Sequence, residues 1–120
     1  MVYRHYPLTQ HRYAYTAARV AECAADQGKF REVHQQLYAV DDWLNDAFLA
    51  FGQAAGVPDM TKYEECVRAK GVVPEVENDM ETARELGVGY TPSLIINGVL
   101  LSVMPTAAQL EEMVKSARGP

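Results

Sequence analysis

The chain has 120 residues, 48% of them hydrophobic and 22% charged, which supplies one small core and leaves too little for two independent ones. That balance excludes fibrous, collagen-like and disordered chains. Sixteen acidic residues against eleven basic ones give a formal charge of -5, with the basic residues scattered, so the electrostatic footprint of a nucleic-acid or anionic-lipid binder is missing.

In chain order, Val2 to Tyr6 alternates apolar or aromatic residues with Arg4 and His5 and stops at Pro7, which predicts a short strand. From about Tyr13 to Asp26, Ala14, Ala17, Ala18, Ala21 and Ala25 form a small-residue helix face that another helix can approach closely, and Gly28 ends it. Phe30, Val33, Leu37 and Val40 recur at spacings of three and four, a second helix with one buried stripe. After Asp41-Asp42-Trp43, Asn45 caps a helix carrying Phe48, Leu49 and Phe51, closed by Gly56 and Pro58. Thr61 and Glu64 form an S/T-x-x-E box opening a helix through Tyr63, Cys66 and Val67 to Gly71. Pro74 suits the first turn of a fifth helix with Val76, Met80, Ala83 and Leu86 on its buried face and Gly87 as its stop. The period then changes. Ser93 to Ile96 and Val99 to Val103 read as two strands around the hairpin signal Asn97-Gly98, and Thr106 with Gln109 caps a last helix bearing Leu110, Met113, Val114 and Ala117. Internal repeats, linkers and low-complexity stretches are missing.

The longest apolar runs fall far short of the ~20 residues of a membrane helix, and Met1-Val2-Tyr3-Arg4-His5 lacks the apolar stretch of a leader, so the sequence reads as soluble and without an export signal. Cys23 and Cys66 are too few for a disulfide scaffold and too far apart for a zinc or redox pair on one loop; they permit one bridge or two free thiols. His5, His11 and His34 lack the spacing of a helical metal site and read as satisfied or solvated. Asp41 and Asp42 fit turn and capping roles better than acid-base work. Glu75, Glu77, Asp79, Glu81 and Glu85 read as the wet face of an amphipathic helix. Phosphate-binding glycine loops and nucleophile elbows are absent from the sequence.

Gly87-Val88-Gly89-Tyr90-Thr91-Pro92-Ser93-Leu94-Ile95-Ile96-Asn97-Gly98 resembles the cis-proline strand and following hairpin of the DsbA-type branch of the thioredoxin superfamily. Tyr3 to Leu8 is similar to the second strand of that family's core. Ala21-Glu22-Cys23-Ala24 with Gln27-Gly28-Lys29-Phe30 resembles the start of its inserted helical domain, and Tyr63 to Leu86 the end of it. The resemblance implies an α/β, thioredoxin-like fold with residues 1–12 and 87–120 as a partial core and residues 13–86 as the inserted helical domain. It departs from the family at one place: the first strand and the Cys-X-X-Cys helix have no counterpart here, so the low-pKa thiolate that drives thiol-disulfide exchange is not in this chain.

The resemblance implies a lineage of bacterial protein thiol-disulfide oxidoreductases acting outside the cytoplasm on protein or peptide thiols, without a cofactor or metal. Tyr90, Thr91 and Pro92 would receive the substrate polypeptide across a cis peptide, and Cys23 with Cys66 would form a second, structural disulfide. Neither cysteine is placed as a catalytic thiolate. Without the missing strand, Val2 to Tyr6 is expected to pair with Ser93 to Ile96 or with a second copy at the open sheet edge, or the chain is a portion of a longer protein. The competing expectation is a redox-inactive thioredoxin-like binding or assembly module; a kappa-type glutathione-dependent enzyme, lacking its cofactor-binding start here, fits less well.

Overall fold

A computed structural model describes residues 1–39 and 47–118. Among them run α1 (Ala14–Ala25), α2 (Phe30–Ala39), α3 (Ala47–Ala55), α4 (Met60–Arg68), α5 (Pro74–Glu85), β1 (Ile95–Ile96), β2 (Val99–Leu100) and α6 (Ala107–Ala117). The stripe residue Val40, the turn at Asp41-Asp42-Trp43 and the cap at Asn45 lie outside the described residues. The chain divides into two compact units, Met1–Met80 and Glu81–Pro120.

In the first unit the alanine-rich face of α1 lets neighbouring helices come close. Val20, Ala21, Cys23 and Ala24 are buried there against Val33 and Leu37 of α2, Phe51 of α3, Val57 and Tyr63. Such large apolar side chains stabilise a fold by about 1.5–3 kcal/mol each when fully buried. Tyr63 is the largest of the fully buried side chains, and its hydroxyl donates to the Phe48 carbonyl at 2.7 Å, so the ring carries its polar tip inward without leaving it unpaired. The ring lies against Gly52, where an added Cβ would sit 2.2 Å from Tyr63 Cε1. This close approach explains a glycine inside α3 despite its cost of about 1 kcal/mol relative to alanine.

Three features of this unit differ from the sequence expectation. α4 starts from Asp59, not from a box at Thr61: the Asp59 carboxylate accepts from the Lys62 amide at 3.0 Å. Gln27 holds the cap from both sides, donating to the Asp59 carbonyl and accepting from its amide. Glu64 is left to pair with Arg68 on the next turn. The segment Val2 to Tyr6 is irregular and enters no ladder among the described residues, whose one sheet is β1 with β2. Its ladder donor is spent elsewhere, because the His5 amide donates to Asp79 Oδ2 at 3.0 Å while Arg4 reaches Oδ1 at 3.2 Å. The acidic face of α5 is not simply wet: Asp79 is buried and Glu77 accepts from the Tyr15 hydroxyl, whereas Leu86, expected in the buried stripe, is exposed.

In the second unit β1 and β2 pair antiparallel, Ile95 with Leu100 and Ile96 with Val99. Asn97 (φ 51°) and Gly98 (φ 83°) both adopt the left-handed conformation that a two-residue hairpin turn requires. The strands are shorter than Ser93 to Ile96 and Val99 to Val103. One more bond, Leu101 amide to Leu94 carbonyl, extends the pairing; the Ser102 carbonyl then accepts from the Tyr90 side chain instead of a strand. α6 opens with the expected box, in which Thr106 and Gln109 each cap the other's amide. It packs against β1, yet none of its described residues is buried, and Met113 and Val114 of the expected stripe are exposed. A ribbon two strands wide is too narrow to cover a helix face.

Candidate functional site

The loop leading into β1 is tied to its own surroundings by short-range bonds. The Tyr90 hydroxyl donates to the Ser102 carbonyl at 3.2 Å, and Ser93 Oγ donates back to the Tyr90 carbonyl. The Thr91-Pro92 peptide bond is cis. Tyr90, Thr91 and Pro92 are all exposed, so the structure keeps the three together on one accessible turn. Such a turn beside a short ribbon offers main-chain groups and an aromatic ring to an extended peptide.

Cys23 of α1 and Cys66 of α4 are joined, with Cα atoms 5.7 Å apart and Sγ atoms at 2.02 Å. Cys23 is buried and Cys66 half-buried. These are the chain's two cysteines, so both sulfurs are engaged with each other and neither is a thiolate available for exchange. The bridge sits in the first unit and the Tyr90 turn in the second.

A third cluster gathers His5 and His34, which the sequence reads as satisfied or solvated; His5 is paired, His34 Nε2 is not. His5 is buried, and its Nε2 lies 2.8 Å from Glu22 Oε1. The rings of Tyr3 and Phe30 adjoin it, and His34 stacks on Phe30 at 5.0 Å, meets Tyr3 edge-on at 4.5 Å and contacts Tyr38. Burial, then the neighbouring His5, holds the His34 imidazole below its ordinary 6.5, and its Nε2 has no hydrogen-bond partner. Burial and then Tyr38 push the Tyr3 phenol up, and burial pushes Tyr63 up to about 12. One signal for Asp79 was present in the sequence: it follows Val76 by three and precedes Ala83 by four, on the stripe that faces inward. Nothing comparable announced the burial of His5, whose ring pairs with Glu22 of α1 and whose amide goes to Asp79 of α5. Among the described residues, no three His, Cys, Asp or Glu side chains group in a way that would hold a metal ion. No helix among them is long and apolar enough to cross a membrane.

Comparison with known proteins adds two findings. The sequence profile of the family described as Thioredoxin matches residues 1–116. The chain is 34% identical over 121 residues to the Na(+)/H(+) antiporter NhaA 1 of Mycolicibacterium vanbaalenii, covering 98% of this chain and 19% of that protein. It is likewise 34% identical over 122 residues to NhaA 1 of Mycolicibacterium gilvum, covering 98% and 20%, and 35% identical over 99 residues to the Na(+)/H(+) antiporter NhaA 3 of Salinispora tropica, covering 81% and 15%. The chain thus spans about a fifth or less of the length of these curated relatives.

Proposed function

This chain belongs to the thioredoxin family, and from that premise we propose that it is the substrate-facing portion of a DsbA-type domain in the protein thiol-disulfide oxidoreductase lineage. In this reading residues 13–86 are the inserted helical domain and residues 1–12 and 87–120 a partial thioredoxin core. Protein or peptide thiols are the partner class, received in extended form along Tyr90, Thr91 and Pro92. The observation that carries the reading is the family match from residue 1 to 116, which takes in the helical block and the hairpin alike. With both cysteines consumed in one bridge, the redox step of the lineage needs a cysteine pair from outside these residues, because exchange starts from a thiolate. The Cys23–Cys66 bridge favours an oxidising, extracytoplasmic setting.

Insulin reduction tests the first part: the purified 120-residue chain is expected to give no more precipitation than buffer with the same reductant. Acceleration on the scale of a thioredoxin-fold oxidoreductase that has its cysteine pair would overturn it. Peptide binding tests the second. A cysteine-containing extended peptide should bind the native chain and lose affinity on Tyr90→Ala, and equal binding to both would remove the role given to the turn.

The names of the relatives favour a second reading. Proteins named Na(+)/H(+) antiporters contain a stretch similar to nearly the whole of this chain, and in this second reading the chain is a redox-inactive thioredoxin-like binding or assembly module. The reading frame around the gene separates the two. A strand-like segment with Cys-X-X-Cys just upstream of Met1 supports the oxidoreductase lineage alone, whereas many apolar spans in the same frame support the module.

A further inference from the structure

The Cys23–Cys66 bridge is not sealed in the core. A cavity of about 220 Å³ is lined by both cysteines, with Arg19, Glu22, Asp26 and Glu75 around it and Ala69 and Val73 of the α4–α5 connection on its wall. That connection is held in place: Arg19 donates to the Gly71 carbonyl, and the Tyr15 hydroxyl accepts from the Val73 amide at 2.9 Å. The volume falls below the ~300–1,000 Å³ of pockets for drug-sized ligands and is of a size for a small thiol. The two cysteine residues are unequal, Cys23 being 1% exposed and Cys66 half-buried. Three carboxylates against one guanidinium make the surroundings negative, which opposes an approaching thiolate and opposes it more when the rest of the thiol is also anionic.

We propose that this cavity is an entry site through which small neutral or cationic thiols reduce the Cys23–Cys66 bridge in the folded chain, by attack on Cys66, while anionic thiols are held off. In the first step the incoming thiolate forms a bond to Cys66 Sγ, the bond between Cys66 and Cys23 breaks, and Cys23 leaves as a thiolate that takes up a proton. With a dithiol, its second thiolate then attacks the mixed disulfide, releasing Cys66 as a thiol and the reagent as its cyclic disulfide. Two electrons pass from the dithiol to the protein. The reduced chain loses the covalent tie between α1 and α4. This goes beyond the proposed function: it concerns the bridge and a small reductant, and holds whether or not the Tyr90 turn receives a peptide.

The test treats the native chain with 2-mercaptoethanol or with 2-mercaptoethanesulfonate at equal thiolate concentration. Loss of the bridge is followed by acid quench and peptide mass spectrometry. The expected rate is first order in thiol at all concentrations, with the adduct on Cys66, and roughly five- to tenfold faster for the neutral reagent, a ratio that shrinks towards one at about 1 M salt. Ala69→Trp, at an exposed position on the wall, should slow the neutral thiol at least about tenfold while circular dichroism stays unchanged. The proposal fails if the rate becomes independent of thiol concentration, which means attack waits on unfolding. Adducts on Cys23, equal rates for the two reagents, or a full rate in a folded Ala69→Trp variant would each overturn it as well.

Discussion

Residues 14–68 bury Val20, Val33, Phe51 and Tyr63 around a disulfide, whereas residues 81–118 bury no described side chain and hold their shape through a two-residue turn, a short ladder and a capping box. The first region is organised by apolar area taken from water, the second by local backbone bonds. The contrast has a physical consequence: opening a segment with few buried contacts costs little, so the Tyr90 turn and its hairpin belong to the low-stability end of the molecule. The bridge ties α1 to α4 and keeps the helical unit from sharing that property.

The comparison can be broken most directly at Tyr63. Tyr63→Ala removes the largest fully buried ring and its hydrogen bond to the Phe48 carbonyl, and should cost about 3–5 kcal/mol in urea unfolding followed by far-ultraviolet circular dichroism. Removing the bridge with Cys23→Ala and Cys66→Ala together frees the 43-position separation between them and should cost about 4 kcal/mol or less by the same measurement. Asp79→Ala leaves the buried His5 amide without its acceptor, an expected loss of about 1–3 kcal/mol, with amide exchange quickening at His5.

Changes in the second region should stay local. Thr106→Ala removes the α6 cap at about 1 kcal/mol, read as faster amide exchange along Ala107–Ala117 with no change at Val20 or Ala24. Equal acceleration in α1 would show that the two regions open together and would dissolve the contrast.

The smallest expected effect is one of pH. In the unfolded chain the His34 imidazole protonates near 6.5, and in the folded chain only at lower pH. As the pH falls below 6.5 the unfolded state therefore holds more protons, so this contribution is complete above that value and is lost below it. The groups around it are His5 and Tyr3 from the N-terminal segment, Phe30 and Tyr38 from α2, and, beyond His5, Glu22 from α1. Urea midpoints at about pH 8 and about pH 5 should differ less in His34→Phe than in the native chain.

The helices were legible because their signals are local. Gly28 and Gly87 take the positive φ that stops a helix, Pro74 begins one, and Thr106 with Gln109 forms the box that the spacing announces. Asn97-Gly98 was legible for the same reason. What escaped depends on partners far away in the chain. The Val2 to Tyr6 alternation is a true pattern, but a strand exists only where a ladder partner does, and here the His5 amide goes to Asp79 on α5. The cap of α4 shifted to Asp59 because Gln27, from the turn after α1, clamps that residue's backbone. At the candidate site, Tyr90, Thr91, Pro92, Cys23 and Cys66 were named through family resemblance, since spacing alone leaves two cysteines open to bridging or to freedom. The cavity beside the bridge was invisible in the sequence, because α1, α4 and the connection to α5 build it jointly.

The central claim is that a thioredoxin-family chain carries its two sulfurs locked to each other, with no thiol left for exchange. Thiol titration of protein purified without reductant from an oxidising compartment, native and then denatured, tests it directly. The account expects no reactive thiol in either state; two thiols appearing on denaturation would contradict it.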